Sequence, residues 1–231
     1  LEVDLSALEV PAKDPRDALR YPLQETHLHQ VVMALAGFMF RSVIDLEISG
    51  LEYFPRSGGL IVAANHLTNF DIFPLQMALP RPLFYMGKAE LFQNRLAHAF
   101  LRALCAFPVY RGARDEWALL HARRILGAGQ VVGIFPEGTR SYGGGLKVAK
   151  TGAARLALTS GCPITPVAID GSQRLFKQFP QRTQVRITIC EPIQPQAGEL
   201  PLALTDRLMF LLACSLPPSL RGVYGQLPAG F

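Results

Sequence analysis

From residue 44 to residue 170 the chain alternates between short apolar runs and stretches whose apolar residues recur every three or four positions. Ile44-Asp45-Leu46-Glu47-Ile48 alternates apolar with polar and predicts a half-exposed strand. Leu60–Ala64, Leu83–Met86, Phe107–Tyr110 and Val131–Phe135 predict apolar strands. Ile72–Leu79, Leu91–Leu104, Asp115–Ala128 and Lys147–Ser160 carry helical spacing, with Pro74 tolerated in a first turn and Gly129 and Gly161 as stops. Pro163–Ile169 predicts another buried strand, and Pro166 within it argues for an edge or a bulge. Gln184–Glu191 predicts a one-sided strand, and Leu202–Leu216 a helix ended by Pro217-Pro218. Strands alternating with helices predict an α/β fold, a mostly parallel or mixed central sheet flanked by helices.

Ahead of the sheet, residues 1–24 carry Pro11, Pro15 and Pro22 and read as an extended arm or loosely attached lead-in. Thr26 can cap a helix running to about Ser42. The centre of that helix, residues 31–40, is apolar nearly all round, so it is either buried in the core or laid in a lipid interface. No uninterrupted apolar run reaches the roughly 18–20 residues of a spanning helix. The first residues are acidic and polar, the reverse of a secretory leader.

Composition narrows the partners. At 231 residues one domain with a sizeable core is expected. A net charge of +5 makes an acidic partner plausible: anionic lipid, phosphate or nucleic acid. The excess is local, since residues 81–155 hold 12 basic and 4 acidic side chains. There is no dense Lys/Arg run and no aromatic-interleaved patch, so a nucleic-acid surface is not expected. Cys105, Cys162, Cys190 and Cys214 lack metal or redox spacing and read as buried free thiols. No metal-ligand cluster appears, and catalysis is expected to survive a chelator.

If the strands are parallel, whatever follows their carboxyl ends gathers at one edge, where ligands bind in open α/β sheets. Four sets of polar residues occupy such positions: His66 with Asp71, Lys88, Arg111, and Glu137 with Arg140. His66 is a candidate general base, and a carboxylate on its other ring nitrogen would fix the tautomer. Five residues apart, the two would point about 140° away from each other on a regular helix. They can meet only if the chain turns between them, and Thr68-Asn69 supplies turn chemistry. Thr68-x-x-Asp71 also fits a capping box, which needs no catalysis. A base, three cations and a carboxylate at one edge suit a phosphorylated substrate.

Asn65-His66-x4-Asp71, Phe107-Pro108-Val109-Tyr110-Arg111-Gly112, Phe135-Pro136-Glu137-Gly138-Thr139-Arg140 and Pro163-Ile164-Thr165-Pro166-Val167 follow one another at family intervals. In these four motifs the chain resembles the glycerolipid acyltransferases of the 1-acylglycerol-3-phosphate O-acyltransferase type. Lys88-Ala89-Glu90-Leu91 is similar to a basic segment of bacterial members. The resemblance implies a glycerol-3-phosphate acyltransferase-like fold, with a lead-in and apolar N-terminal helix over residues 1–42 and the acyltransferase domain over 43–231. It implies His66 as base and Asp71 as its orienting partner. It assigns Glu137, Gly138, Thr139 and Arg140 to the acceptor, with Arg111 in the same region and Lys88 a further phosphate candidate. Tyr110 departs from the pattern, because an aspartate often precedes that arginine.

The implied reaction moves an acyl group from a thioester to the free hydroxyl of a lysophospholipid. Coenzyme A or acyl carrier protein would be co-substrate; no bound cofactor and no metal are implied. The expected setting is an anionic membrane surface, with peripheral or monotopic attachment at the cytoplasmic face. The same chemistry on a lyso-ornithine lipid, a glycolipid or glycerol 3-phosphate is the alternative within enzymes. A non-catalytic lipid-binding module is the alternative outside them.

Overall fold

The computed structural model describes residues 14–19, 21–110, 115–177 and 179–226. The strands are β1 (Ile44–Ser49), β2 (Leu60–Ala64), β3 (Leu83–Lys88), β4 (Ala106–Val109), β5 (Val131–Ile134), β6 (Ile164–Asp170) and β7 (Thr183–Ile189). They form one sheet in the order β1-β7-β6-β2-β5-β3-β4. Every pairing is parallel except β6 with β7, so the sheet is mixed. All five residues of β2 are buried, as a central strand covered on both faces requires. β7 buries every second residue and keeps one face toward solvent.

Among the described residues six α-helices flank the sheet: α1 (His27–Arg41), α2 (Ile72–Ala78), α3 (Arg95–Ala103), α4 (Glu116–Gly127), α5 (Gly152–Ser160) and α6 (Pro201–Cys214). α6 places Leu204, Leu208 and Leu212 in the core at helical spacing. α1 is capped by the Thr26 hydroxyl, which accepts from the His29 N–H. It is not a core helix. Only His29 is buried on it, while Leu28, Val31, Leu35, Phe38 and Met39 are exposed.

Three sequence expectations need correcting, and a fourth, an edge or a bulge at Pro166, resolves to the bulge. The helix expected over Lys147–Ser160 begins only at Gly152. The residues before it are held to other parts of the fold instead: Lys147 N–H donates to Glu137, Ala149 N–H to the Tyr224 hydroxyl and Lys150 N–H to the Pro136 carbonyl. The helix expected over Leu91–Leu104 is divided, a 3-10 turn over Ala89–Phe92 preceding α3. Asn94 makes the division because its side chain accepts from Leu96 and Ala97 N–H as an N-cap. β6 lies inside the sheet, not at an edge, and Pro166 is accommodated by a bulge. Between Val167↔Ile189 and Ile164↔Ile193 the returning chain takes one step more than β6 does. Finally, residues 14–19 and 21–24 are not a loose lead-in, since Arg16 and Tyr21 are buried. Of the cysteines, all free, Cys105 is buried and Cys214 is exposed.

Tyr21 enters an aromatic cluster beside α4. His121 stacks on Trp117 with centroids 5.0 Å apart and meets the edge of Phe107 at 4.8 Å. Its Nε2 is buried without a hydrogen-bond partner, and burial pushes its pKa down to about 4. The folded state therefore resists protonating a group that the unfolded chain protonates near pH 6.5. Stability from neutral His121 is complete above pH 6.5 and declines as pH falls toward 4. Replacing His121 with Phe is expected to remove up to about 3 kcal/mol of this decline. Urea unfolding of both proteins at pH 7.5 and pH 4.5 measures it, and equal pH dependence would contradict it.

Candidate active site

Parallel pairing of β2, β5, β3 and β4 sets their carboxyl ends at one edge of the sheet. The described residues expected there do gather. His66 lies two residues beyond β2, and Glu137 and Arg140 follow β5. Lys88 ends β3 and pairs with Glu90 across 3.3 Å with both side chains well exposed. Arg111 lies outside the described residues.

The turn after β2 brings His66 and Asp71 together. His66 Nδ1 lies 2.8 Å from Asp71 Oδ2. The same oxygen accepts from the N–H of Leu67 at 2.7 Å and of Thr68 at 2.8 Å. Asp71 Oδ1 accepts from the Thr68 hydroxyl at 3.1 Å and the Ser172 hydroxyl at 2.6 Å. The carboxyl is fully buried, whereas the His66 side chain keeps 14% exposure. A carboxylate only accepts, so this environment assigns the proton of neutral His66 to Nδ1 and leaves the Nε2 lone pair free. The capping-box reading is met in part as well. Asp71 caps the Thr68 N–H from the start of α2 while holding the histidine, so one carboxylate serves both.

The ring is held in place on its flat side. Phe135 stacks on His66 with centroids 4.0 Å apart and planes 14° from parallel, and Tyr85 stacks behind Phe135 at 6.5 Å. The backbone is fixed too. Asn65 donates to the Ile169 carbonyl at 2.8 Å and accepts from the Ile169 N–H at 2.7 Å, which extends the β2–β6 pairing past the end of β2. The His66 carbonyl accepts from Ser141 N–H, and the Leu67 carbonyl from Tyr142 N–H.

Glu137 faces inward. Its two oxygens accept from His66 N–H at 3.0 Å and Lys147 N–H at 2.9 Å, and only 3% of the residue is exposed. Burial raises its pKa, and those two N–H groups oppose the rise. Its carboxylate thus ties the turn after β5 to the histidine's own backbone. Gly138 adopts a left-handed φ of +64°, and a Cβ there would press on the Lys150 stem at 3.3 Å. Thr139 is exposed. Arg140 reaches across to the Asn69 side chain and to the Tyr142 hydroxyl, and its carbonyl accepts from Lys147 Nζ. Among the described residues, Arg140 has no carboxylate partner.

Ser172 and Lys147 were not singled out from the sequence, and Phe135 stood there only as the first residue of a motif. Ser172 stands just past β6, so the rule that found the other residues, a polar group beyond an apolar strand, also points to it. No signal marks the stacking role of Phe135, because an aromatic ending an apolar run reads as core. Among the described residues no group of three or more His, Cys, Asp or Glu side chains is placed to hold a metal ion.

Beside the histidine a cavity of about 690 Å³ opens between α4 and α5. Met86, Leu119, Ile134, Phe135 and Leu158 line it, with Lys150 and Arg155 also on its wall. Phe135 is common to the cavity and the His66 stack.

The sequence profile of the Acyltransferase family matches residues 45–170. A 1-acyl-sn-glycerol-3-phosphate acyltransferase of Bacillus subtilis is 31% identical over 183 residues, covering 78% of this chain and 85% of that protein. The human 1-acyl-sn-glycerol-3-phosphate acyltransferase alpha is 28% identical over 174 residues, covering 71% of this chain and 61% of the relative. Among solved structures, the 1-acyl-sn-glycerophosphate (LPA) acyltransferase PlsC from Thermotoga maritima superposes with a TM-score of 0.65 at 26% identity. That match covers 80% of this chain and 78% of the other.

Proposed function

Because this chain belongs to the acyltransferase family, we propose that it moves a fatty acyl group from a thioester to the free hydroxyl of 1-acyl-sn-glycerol 3-phosphate, forming phosphatidic acid. The observation that carries this reading is the buried Asp71 carboxylate on Nδ1 of a His66 whose Nε2 is free. Nε2 takes the hydroxyl proton as that oxygen attacks the thioester carbonyl. The tetrahedral adduct collapses with loss of the thiolate, which takes up the proton. Asp71 stabilises the imidazolium formed in between. The donor is coenzyme A or carrier-protein thioester, and its acyl chain suits the apolar cavity, whose volume is within the ordinary range of about 300–1,000 Å³.

Arg140 is the cation proposed to meet the acceptor phosphate. Its hydrogen bond to Asn69 ties it to the catalytic turn, and a guanidinium can grip a phosphate with two parallel bonds where an ammonium cannot. Arg140→Lys is expected to raise KM for the lysophospholipid about tenfold and to leave KM for the thioester within about twofold. An equal rise in both would contradict the assignment. The function itself is tested with an acceptor panel at one fixed donor. Lysophosphatidic acid is expected to give the highest kcat/KM. A higher value for lyso-ornithine lipid, a lysoglycolipid or glycerol 3-phosphate would move the proposal to that head group.

The substrates are amphiphiles, and the proposed setting is the surface of a bilayer at its anionic cytoplasmic leaflet. Among the described residues no helix is long and apolar enough to cross a membrane. α1 exposes Val31, Leu35 and Phe38, α3 exposes Leu96 and Phe100, and the net charge is +5. Phe40 of α1 stacks on Phe73 at 4.5 Å and approaches Phe70, in the catalytic turn, at 6.4 Å. A helix laid on the bilayer would thus sit next to the base. Replacing Leu35 and Phe38 with Asp is expected to weaken binding to phosphatidylglycerol vesicles by more than about tenfold, from about 1.5–3 kcal/mol per buried apolar side chain. Sedimentation measures it, and unchanged binding would contradict this orientation.

A further inference from the structure

We infer that Arg16, in the segment ahead of α1, is a positioning residue that sets one wall of the acyl cavity and thereby the chain preference of the enzyme. The inference rests on the acyl-transfer reading above.

Arg16 is 7% exposed, yet every guanidinium donor meets an acceptor. Nη1 and Nη2 grip Asp115 at 2.6 and 2.9 Å. Nε and Nη2 grip Asp14 at 2.8 and 2.6 Å. Nη1 also reaches the Pro108 carbonyl at 3.4 Å. The guanidinium lies over the ring of Trp117 at 4.4 Å and over that of Tyr110 at 4.7 Å. Burial disfavours the charge of Asp115, but Arg16 and the N–H groups of Tyr110 and Ala118 outweigh this and hold its carboxyl below the usual range.

Asp115 is the joint. Its Oδ2 accepts from Tyr110 N–H at 2.8 Å, just past β4, and its Oδ1 from Ala118 N–H at 3.0 Å, in the first turn of α4. Arg16 clamps both oxygens of that carboxylate and touches β4 itself at Pro108. Val109, Tyr110, Asp115, Ala118 and Leu119 form one wall of the cavity. The arginine therefore fixes the angle between β4 and α4 from behind the wall, without entering the cavity. Tyr110, the residue that departs from the family pattern, is one face of this clamp. A lysine in place of Arg16 would keep the charge but lose the fork and the stacking.

The test compares wild type with Arg16→Lys, Arg16→Met and Asp115→Asn. For each, kcat/KM is measured across coenzyme A thioesters of 10 to about 18 carbons with lysophosphatidic acid fixed, and across acceptor chain lengths with the donor fixed. A packed wall discriminates single methylenes by roughly tenfold or more. The Arg16 variants are expected to shift the long-to-short ratio by at least about tenfold toward longer chains in one of the two series. Asp17→Ala is the control. It cuts another tie of the same segment, the 2.7 Å bond donated by Trp117 Nε1, without touching Asp115, and should leave the ratio unchanged. Arg16→Lys and Asp115→Asn keep the experiment decisive if Arg16→Met does not fold. A lower Tm with an unchanged ratio in these variants would show Arg16 to be structural only and overturn the inference. If wild type transfers no acyl group at all, the acyl-transfer reading fails instead, which is a separate outcome.

Discussion

Asp71→Ala is expected to lose up to about 10⁴-fold in kcat, the scale seen when the orienting carboxylate of a catalytic triad is removed. Three effects combine. The imidazole loses the group that holds its proton on Nδ1, the imidazolium loses its counter-charge, and the turn loses an anchor. The last is large here because the Leu67 and Thr68 N–H groups and the Thr68 and Ser172 hydroxyls converge on the same carboxylate. Each buried donor left unpaired costs about 1–3 kcal/mol, so the variant should also melt lower. Asp71→Asn separates the effects. The two backbone N–H groups would hold the amide oxygen where Oδ2 now sits, and the hydroxyls can turn to accept from the amide nitrogen. The tautomer survives and the charge is lost. Its activity is therefore expected between wild type and Asp71→Ala. Steady-state rates with a melting curve for each protein check this order. Equal rates for the Asn variant and wild type would show that the negative charge plays no part.

His66→Ala is the second large effect, and it should differ from the first in one respect. A general base contributes about 10²–10⁴-fold, so most activity should disappear. The ring, however, makes one side-chain hydrogen bond and one stack, on Phe135. The backbone ties through Glu137 and Ser141 do not need it. The fold should survive, with a circular dichroism spectrum close to wild type. Retention of more than about a tenth of wild-type kcat in a folded variant would remove His66 from the role of base.

Much of this site was legible because it obeys one positional rule. Apolar runs of four or five residues each end in a polar group, and parallel pairing brings those ends together. The rule gave His66, Asp71, Lys88, Glu137 and Arg140 their places at the edge. It said nothing of what each side chain would face. The resemblance assigns Glu137 to the acceptor, where it would meet a glycerol hydroxyl or hold an arginine, and in the fold its oxygens accept from two backbone N–H groups. Asn94 is the converse case. Its N-cap signal was present in the sequence and was masked by the continuous helical spacing around it. The role of residues 14–21 could not be read at all. Arg16 finds its partner at Asp115, 99 positions away, and no local pattern encodes that distance.

The most direct measurement of the central claim is product formation by the purified protein in mixed micelles with palmitoyl-coenzyme A and lysophosphatidic acid, followed by mass spectrometry, with His66→Ala as the blank. Phosphatidic acid that accumulates in proportion to wild-type protein, at a rate at least about 100 times that of the blank, is the result expected. Phosphatidic acid formed by both proteins at similar rates would contradict the account, because the transfer would then not depend on His66.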